Sequence, residues 1–168
     1  YNITGNTGQL TLLGREAGHN VTSGVDNTLV GYQSGFNTRA GGYNTTIGSE
    51  ALYTNQTGLY GVAVGYRALK ASLVSSNTGV GAFAGQAINN GANNVAMGTY
   101  ALMATTGTGN NTAIGYNSLA ANTGAENTAV GKSSLEGCFG GGDNTAIGLA
   151  AGNQVTTGSN NSFLGHDS

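Results

Sequence analysis

The sequence has no proline and no tryptophan, and it carries very little charge. Charged residues make up 7% of the chain, whereas a typical globular domain has about 25%. The five lysines and arginines do not cluster and the net charge is −2, so the chain lacks the basic surface that nucleic-acid binding requires. No apolar run approaches the ~20 residues of a membrane-spanning helix. We therefore expect no nucleic-acid partner and no membrane insertion.

Residues that usually carry chemistry are scarce as well. Cys138 is the one cysteine, so the chain has no internal disulfide, and the two histidines, His19 and His166, lie near opposite ends. The seven acidic residues are scattered, and the Gly-rich stretch Gly140-Gly141-Gly142 is not followed by the Gly-Lys-Ser/Thr of a phosphate loop. Three aspartates are too few for the calcium-binding nonapeptide roll, which needs one in every copy. The sequence predicts no enzyme activity, no catalytic residue, no metal site and no cofactor.

Glycine and an internal repeat dominate what is present. Glycine accounts for 31 of the 168 residues, and Asn111-Thr112-Ala113-Ile114-Gly115 recurs as Asn127–Gly131 and as Asn144–Gly148. Weaker copies cover the rest of the chain at intervals of 17 or 16 residues. Self-similarity at a fixed period is typical of a solenoid. The ten anchor glycines are Gly14, Gly31, Gly48, Gly65, Gly81, Gly98, Gly115, Gly131, Gly148 and Gly165.

Two columns of the repeat are predicted to point into the coil. Because they lie two residues apart, they share one face of a strand, and β-branched residues suit that surface. The aliphatic column precedes each anchor glycine, and a Thr or Val column stands two residues before it. We predict as core Val30, Ile47, Val64, Val80, Met97, Ile114, Val130 and Ile147 from the first column, with Thr28, Thr45, Thr112, Thr128 and Thr145 from the second.

The column between these two is predicted to face outward. It is mostly small and carries no charge, although a solvated strand face usually carries some. The absence of charge indicates that this face is covered by another chain. The candidate interface for a homotrimer with cyclic symmetry consists of Ala63, Ala96, Ala113, Ala129 and Ala146.

Three further columns carry structural predictions. Three residues after each anchor stands a small residue, which is followed by Leu or Gly, as in Ala101-Leu102. A second glycine recurs near the tenth position of the coil, for example Gly91, and is assigned to a corner with positive φ. Asn precedes the Thr column in most copies, as at Asn111, and stacked asparagines can hydrogen-bond into a ladder.

These columns predict an all-β fold. Seventeen residues suit one turn of a parallel β-solenoid with two short strands, and successive coils stack at ~4.8 Å. About ten coils of 16–17 residues form one domain over residues 1–168. Solenoids usually end in atypical capping repeats, and none is visible here. We therefore expect the sequence to be a segment of a longer fibrous protein.

The pattern Asn-Thr-Ala-[Ile/Val]-Gly followed by x-x-[Ala/Ser]-[Leu/Gly], seen in residues 111–119 and 127–135, resembles repeats of phage and large-virus tail or surface fibres. It is also similar to the head repeats of trimeric autotransporter adhesins, although those repeats are shorter and their second strand differs. The resemblance implies a left-handed β-roll that assembles as a homotrimer. It also implies a place on a virion surface or tail fibre, or otherwise on a cell surface or outside the cell.

The function expected from this resemblance is that of a structural or adhesive fibre segment, which spaces or mediates attachment to a host surface. Tyr32, Tyr66 and Tyr116 each follow an anchor glycine, and tyrosine favours wet contact surfaces, so they are candidate contacts for a host glycan or receptor. The alternative is an ice-binding or extracellular scaffold solenoid. Ice binding needs a flat outward face, and the predicted Ala face is interrupted by Leu12, Leu29 and Phe163.

Overall fold

The computed structural model describes residue 5 and residues 8–168. Each copy of the repeat contributes one strand of three residues, and no helix occurs in the described part of the chain. The ten strands are Thr11–Leu13 (β1), Thr28–Val30 (β2), Thr45–Ile47 (β3), Val62–Val64 (β4), Thr78–Val80 (β5), Val95–Met97 (β6), Thr112–Ile114 (β7), Thr128–Val130 (β8), Thr145–Ile147 (β9) and Ser162–Leu164 (β10).

The strands form one parallel sheet in sequence order, β1 to β10. Equivalent repeat positions pair in register, as in Val95↔Thr112 and Met97↔Ile114. The register is kept across the shorter coils, where Val62 pairs with Thr78, because the missing residue falls in the loop after the buried Ser72. The predicted parallel β-solenoid of about ten coils is therefore confirmed.

The predicted second strand of each coil is absent from the described residues. In its place the chain makes turns in which non-glycine residues repeatedly take positive φ, as at Tyr100 (63°), Leu102 (48°) and Asn110 (61°). Left-handed residues interrupt the alternation that a strand requires. Coils still bond to one another here, since the Leu102 amide donates to the Ser118 carbonyl at 3.0 Å.

The orientation predicted for the strand columns is wrong. The central column faces the interior: Ala63, Ala96, Ala113, Ala129 and Ala146 are all 0% exposed within the single chain. None of the thirteen residues predicted as core is buried. The residues that lie on the outer surface instead are Val30, Ile47, Val64, Val80, Met97, Ile114, Val130 and Ile147, with Thr28, Thr45, Thr112, Thr128 and Thr145.

The reason is the narrow interior, which holds about one large apolar side chain per coil. The largest fully buried apolar side chains are Leu29, Leu52, Leu69, Ile88, Leu102, Leu119 and Leu135, one from each of seven successive coils. Five of these leucines have φ between 48° and 50°, an uncommon conformation for a bulky residue. With the leucine supplied from the turn, the inward strand position has room only for a small residue.

Size compensation between the two inward positions shows the same constraint. Where the strand centre is Leu29, the turn position is Gly35, and a Cβ there would lie 2.8 Å from a Leu29 methyl. Gly152 is matched in the same way by Phe163, at 2.8 Å. Interiors are close-packed and tolerate neither an added methylene nor a void, so one large residue in a coil requires a small partner.

The two glycine columns have roles different from those predicted. The corner glycines, such as Gly91 and Gly124, do not have positive φ; a Cβ on Gly124 would lie 1.9 Å from the Gly141 carbonyl oxygen. Close approach of successive coils therefore requires glycine at this column. Positive φ belongs to the anchor column instead, with 132° at Gly98 and 133° at Gly115, in a region that only glycine readily adopts.

The predicted asparagine ladder is confirmed. Asn94 and Asn111 are both 0% exposed, and the Asn111 side-chain amide donates to Oδ1 of Asn94 at 3.2 Å. It also donates to the carbonyl of Gly124 at 3.1 Å, while the backbone amide of Asn127 donates to the Asn111 Oδ1 at 3.0 Å. Each rung thus satisfies its buried polar groups through the neighbouring coils, as burial requires.

Candidate functional site

The strands present a long outward face, the outer sheet face, which we define as the first and third residues of strands β1–β10. In its aliphatic column Ile47, Met97 and Ile147 are exposed, at 45%, 40% and 44%, and the four valines are half-buried. Ten rungs stacked at ~4.8 Å make a strip roughly 43 Å long. Single exposed apolar residues are common on protein surfaces, whereas a contiguous apolar strip of this length indicates a contact surface.

The chemistry of the outer sheet face is uniform along its length. None of the ten strands carries a charged residue. The column beside the aliphatic one is threonine, except for valine in β4 and β6 and serine in β10. Parallel in-register pairing places like residues in line, as in Thr28↔Thr45 and Val30↔Ile47. The face can therefore bury aliphatic surface against a partner, and its side-chain polar groups are the threonine and serine hydroxyls.

An aromatic ladder follows one corner of the solenoid beside this face. The corner ladder consists of Tyr66, Phe83, Tyr100 and Tyr116, one ring from each of four successive coils. Phe83 and Tyr100 are nearly parallel, with centroids 5.2 Å apart. Tyr66 and Tyr116 close the two ends in edge contacts, turned by 85° and 78° from their neighbours.

A second stack lies on the next side of the coil. His19, Phe36 and Tyr53 are parallel within 9°, with centroids 5.0 and 5.1 Å apart. The Lys70 ammonium lies 5.6 Å from the Tyr53 centroid and continues the stack. In this arrangement each interior ring face is covered by a neighbour, so the stack contributes packing between coils.

A cluster of opposite charges lies where the two aromatic columns approach each other. The Glu50 carboxylate accepts hydrogen bonds from Lys70 and Arg67, the latter at 3.1 and 3.2 Å. These contacts, Lys70 first and Arg67 second, lower the pKa of Glu50, and the Glu50 hydrogen bond raises the pKa of Arg67. The Arg67 guanidinium also lies 4.9 Å from the Tyr66 centroid. The cluster is internally neutralised except for one positive charge.

Residues that could carry other chemistry are not brought together. No group of three or more His, Cys, Asp or Glu side chains that could hold a metal ion occurs in residue 5 or residues 8–168. Cys138 is buried, and this burial raises the pKa of its thiol. Among the described residues there is also no helix long and apolar enough to cross a membrane.

The tyrosines predicted as surface contacts do lie at the surface. Tyr32, Tyr66 and Tyr116 are 40%, 42% and 47% exposed. They do not form one strip of their own: Tyr66 and Tyr116 are the ends of the corner ladder, and Tyr32 stands apart with the Arg15 guanidinium 4.9 Å from its centroid. Whether any of them contacts a partner stays a prediction.

Sequence reasoning missed the outer sheet face as a site because it assigned these residues to the core. The signal that could have found it is the size compensation at Leu29–Gly35 and at Gly152–Phe163, which links the central strand column to the turn column across an interior.

Comparison of the chain with protein-family models, with curated proteins and with solved structures finds no match.

Proposed function

We propose that this chain is a self-associating structural segment of a fibre, in which the outer sheet face is buried between copies of the chain. The observation that supports this proposal is the exposed, uncharged aliphatic column, which runs over all ten strands. Contiguous apolar surface of this kind is typical of protein–protein interfaces. The role that follows is to space or mediate attachment to a host surface, as the repeat resemblance implies.

A second copy of the chain fits this face better than an unrelated partner does. The face repeats in every coil and has no charged residue that would specify a different partner. A copy offers the same repeat at the same spacing, so its aliphatic residues can interdigitate along the whole length. Closed cyclic symmetry buries such a face completely and leaves none open for further growth.

We propose three copies and a left-handed coil, following the resemblance of the repeats to trimeric fibre and adhesin rolls. The number three follows from that resemblance alone, since two outward columns per strand suit a closed ring of any size in which each copy has two neighbours. The aliphatic column would lie toward the common axis and the threonine column toward the boundary with the adjacent copy. This arrangement replaces the Ala column that the sequence had indicated as the interface.

The double variant Ile114→Lys/Ile147→Lys tests the proposal. Both side chains are exposed in the single chain, at 38% and 44%, so lysine is tolerated by the isolated coil. In an assembly, however, each copy would bury two unpaired ammonium groups, at a cost of several kcal/mol. We expect the association constant, measured by sedimentation equilibrium, to fall by at least about a hundredfold.

The matched control is Met103→Lys/Ala121→Lys, which adds the same charge on the side of the coil away from the strands, where both residues are partly exposed. Its association constant should equal that of the parent chain. Equal weakening by both pairs would show that net charge, rather than the outer sheet face, governs association, and it would contradict the proposal.

A second candidate function is ice binding, which the outward threonine column favours. The Thr column was expected to point inward, which argued against this function, but Thr45 and Thr145 are exposed and belong to one column of in-register strands. A regular Thr and Val surface can order water at a crystal plane. The two functions compete for one face, so a single-chain native mass together with arrested ice growth in an osmometer would favour this candidate over the fibre.

A further inference from the structure

Tyr116 differs from the other aromatic residues on the surface in how its ring is covered. It meets Tyr100 at 78° with centroids 5.9 Å apart. Tyr100 is itself stacked on Phe83 in the preceding coil. Tyr116 is 47% exposed, and within the described residues it has no stacked ring and no cation over its ring.

The other exposed tyrosines each have a ring face already occupied. Arg15 covers a face of Tyr32, and Arg67 covers a face of Tyr66, both at 4.9 Å. Tyr43 and Tyr60 cover each other in a stack with centroids 5.3 Å apart. Tyr116 is therefore the exposed tyrosine that, within the described residues, has neither a stacked ring nor a guanidinium over its ring.

Polar side chains lie in the positions next to Tyr116 along the repeat. Lys132 occupies the same column in the next coil, is exposed and forms no ion pair within the described residues. Beside it, the Asn117 side-chain amide donates to Glu136 Oε1 at 3.0 Å. Amide, carboxylate and ammonium groups next to a free aromatic face combine an apolar platform with donors and acceptors.

From this arrangement we propose that Tyr116 is the platform of a carbohydrate-contact site that takes a neutral pyranose sugar. The apolar C–H face of the sugar stacks on the ring, and its hydroxyls bond to Lys132 and to the Asn117–Glu136 pair. Residues 71–168 contain four acidic side chains and Lys132 as their one cation, so an acidic sugar chain is repelled. This inference deepens the attachment role proposed above and rests on it.

Electrophoresis through native gels that contain a neutral polysaccharide tests the site. The intact chain, in its native state of association, is run through gels with glucan, galactan or mannan, and through a gel with alginate as the acidic probe. We expect retardation in at least one neutral gel. Tyr116→Ala should weaken the apparent affinity by about tenfold or more, because truncation of an aromatic anchor typically has an effect of that size.

Tyr53→Ala is the matched control, because Phe36 covers one face of Tyr53 and Lys70 lies over the ring as well. This variant should migrate like the parent chain in every gel. Absence of retardation in all neutral gels, retardation in alginate alone, or equal loss in both variants would overturn the proposal. The native mass of the parent chain separates the two proposals: a parent chain that self-associates but is retarded in no neutral gel contradicts the site alone, and a parent chain that is retarded while it has a single-chain mass contradicts the assembly alone.

Discussion

Replacing Gly98 with alanine is expected to destabilise the solenoid by at least about 3 kcal/mol. Gly98 has a φ of 132°, which L-residues rarely adopt. Moreover, a Cβ at this position would lie 2.5 Å from the carbonyl oxygen and 2.7 Å from the carbonyl carbon of Gly115. Both atoms belong to the backbone of the next coil, so no side-chain rotation can relieve the overlap.

Gly107→Ala is the matched control in the same coil. A Cβ on Gly107 would meet nothing within 4 Å, and its φ lies outside the left-handed region. We expect its free energy of unfolding in urea to stay within about 0.5 kcal/mol of the parent value or to rise slightly, since alanine restricts the unfolded chain. Repeat arrays can unfold in parts. For this reason amide hydrogen exchange in the coils on either side of Gly98 should be measured together with the urea midpoint. Equal midpoints for the two variants would contradict the anchor geometry.

Asn111→Asp is expected to cost about 3–5 kcal/mol at neutral pH, because it places an unpaired charge in the buried ladder. The Asn111 amide nitrogen donates to Asn94 Oδ1, to the Gly109 carbonyl and to the Gly124 carbonyl. A carboxylate would face these three acceptors with no proton to offer them. Asn110→Asp makes the same charge change at the adjacent exposed residue and should cost less than about 1 kcal/mol.

The stability lost by Asn111→Asp should increase with rising pH. Burial among acceptors favours the protonated carboxyl, so the pKa in the folded state is raised above its unfolded value of about 4. Stability is then greatest below about pH 4 and is lost as the pH rises through the raised pKa. Thermal midpoints of both variants measured between about pH 3 and pH 8 check this. A difference between the variants that stays constant over this range would contradict a buried, desolvated ladder.

The repeat spacing was sufficient to predict the solenoid, the position of the one strand found in each coil and the ladder, although it also predicted a second strand that is absent from the described residues. The anchor glycines place β1–β10, and the Asn column places the ladder, because both features depend on one residue meeting its equivalent one coil away. Distances of 16 or 17 residues along the sequence translate directly into neighbours along the rod. For this reason even the shorter coils at Val62 and Thr112 could be aligned without the structure.

The spacing could not predict which strand face is buried. Alternation separates Ala113 from Thr112 and Ile114, but it assigns neither face to the interior. The usual rule places the larger aliphatic residue inside, and here a leucine in a left-handed turn, such as Leu119, already fills the space. The inversion depends on how narrow the coil is, which is a property of the turn conformation and cannot be derived from hydrophobicity at single positions.

The outward orientation of the aliphatic strand residues is the feature that makes this chain a candidate for self-association. With Ile47, Met97 and Ile114 outside, the single chain exposes large aliphatic side chains, and its interior holds about one leucine or isoleucine per coil among small residues. Stability of the isolated coil then comes mainly from the ladder, the backbone bonds between coils and the one leucine or isoleucine per turn. Association adds the apolar burial that the thin interior lacks.

The most direct test of self-association through the outer sheet face is the native mass of the unmodified chain, measured by sedimentation equilibrium over a wide concentration range. The proposal predicts a mass three times that of the 16.6 kDa chain, maintained at low concentration. A mass of 16.6 kDa at every concentration would contradict it, because the aliphatic column would then remain exposed to water along the whole rod.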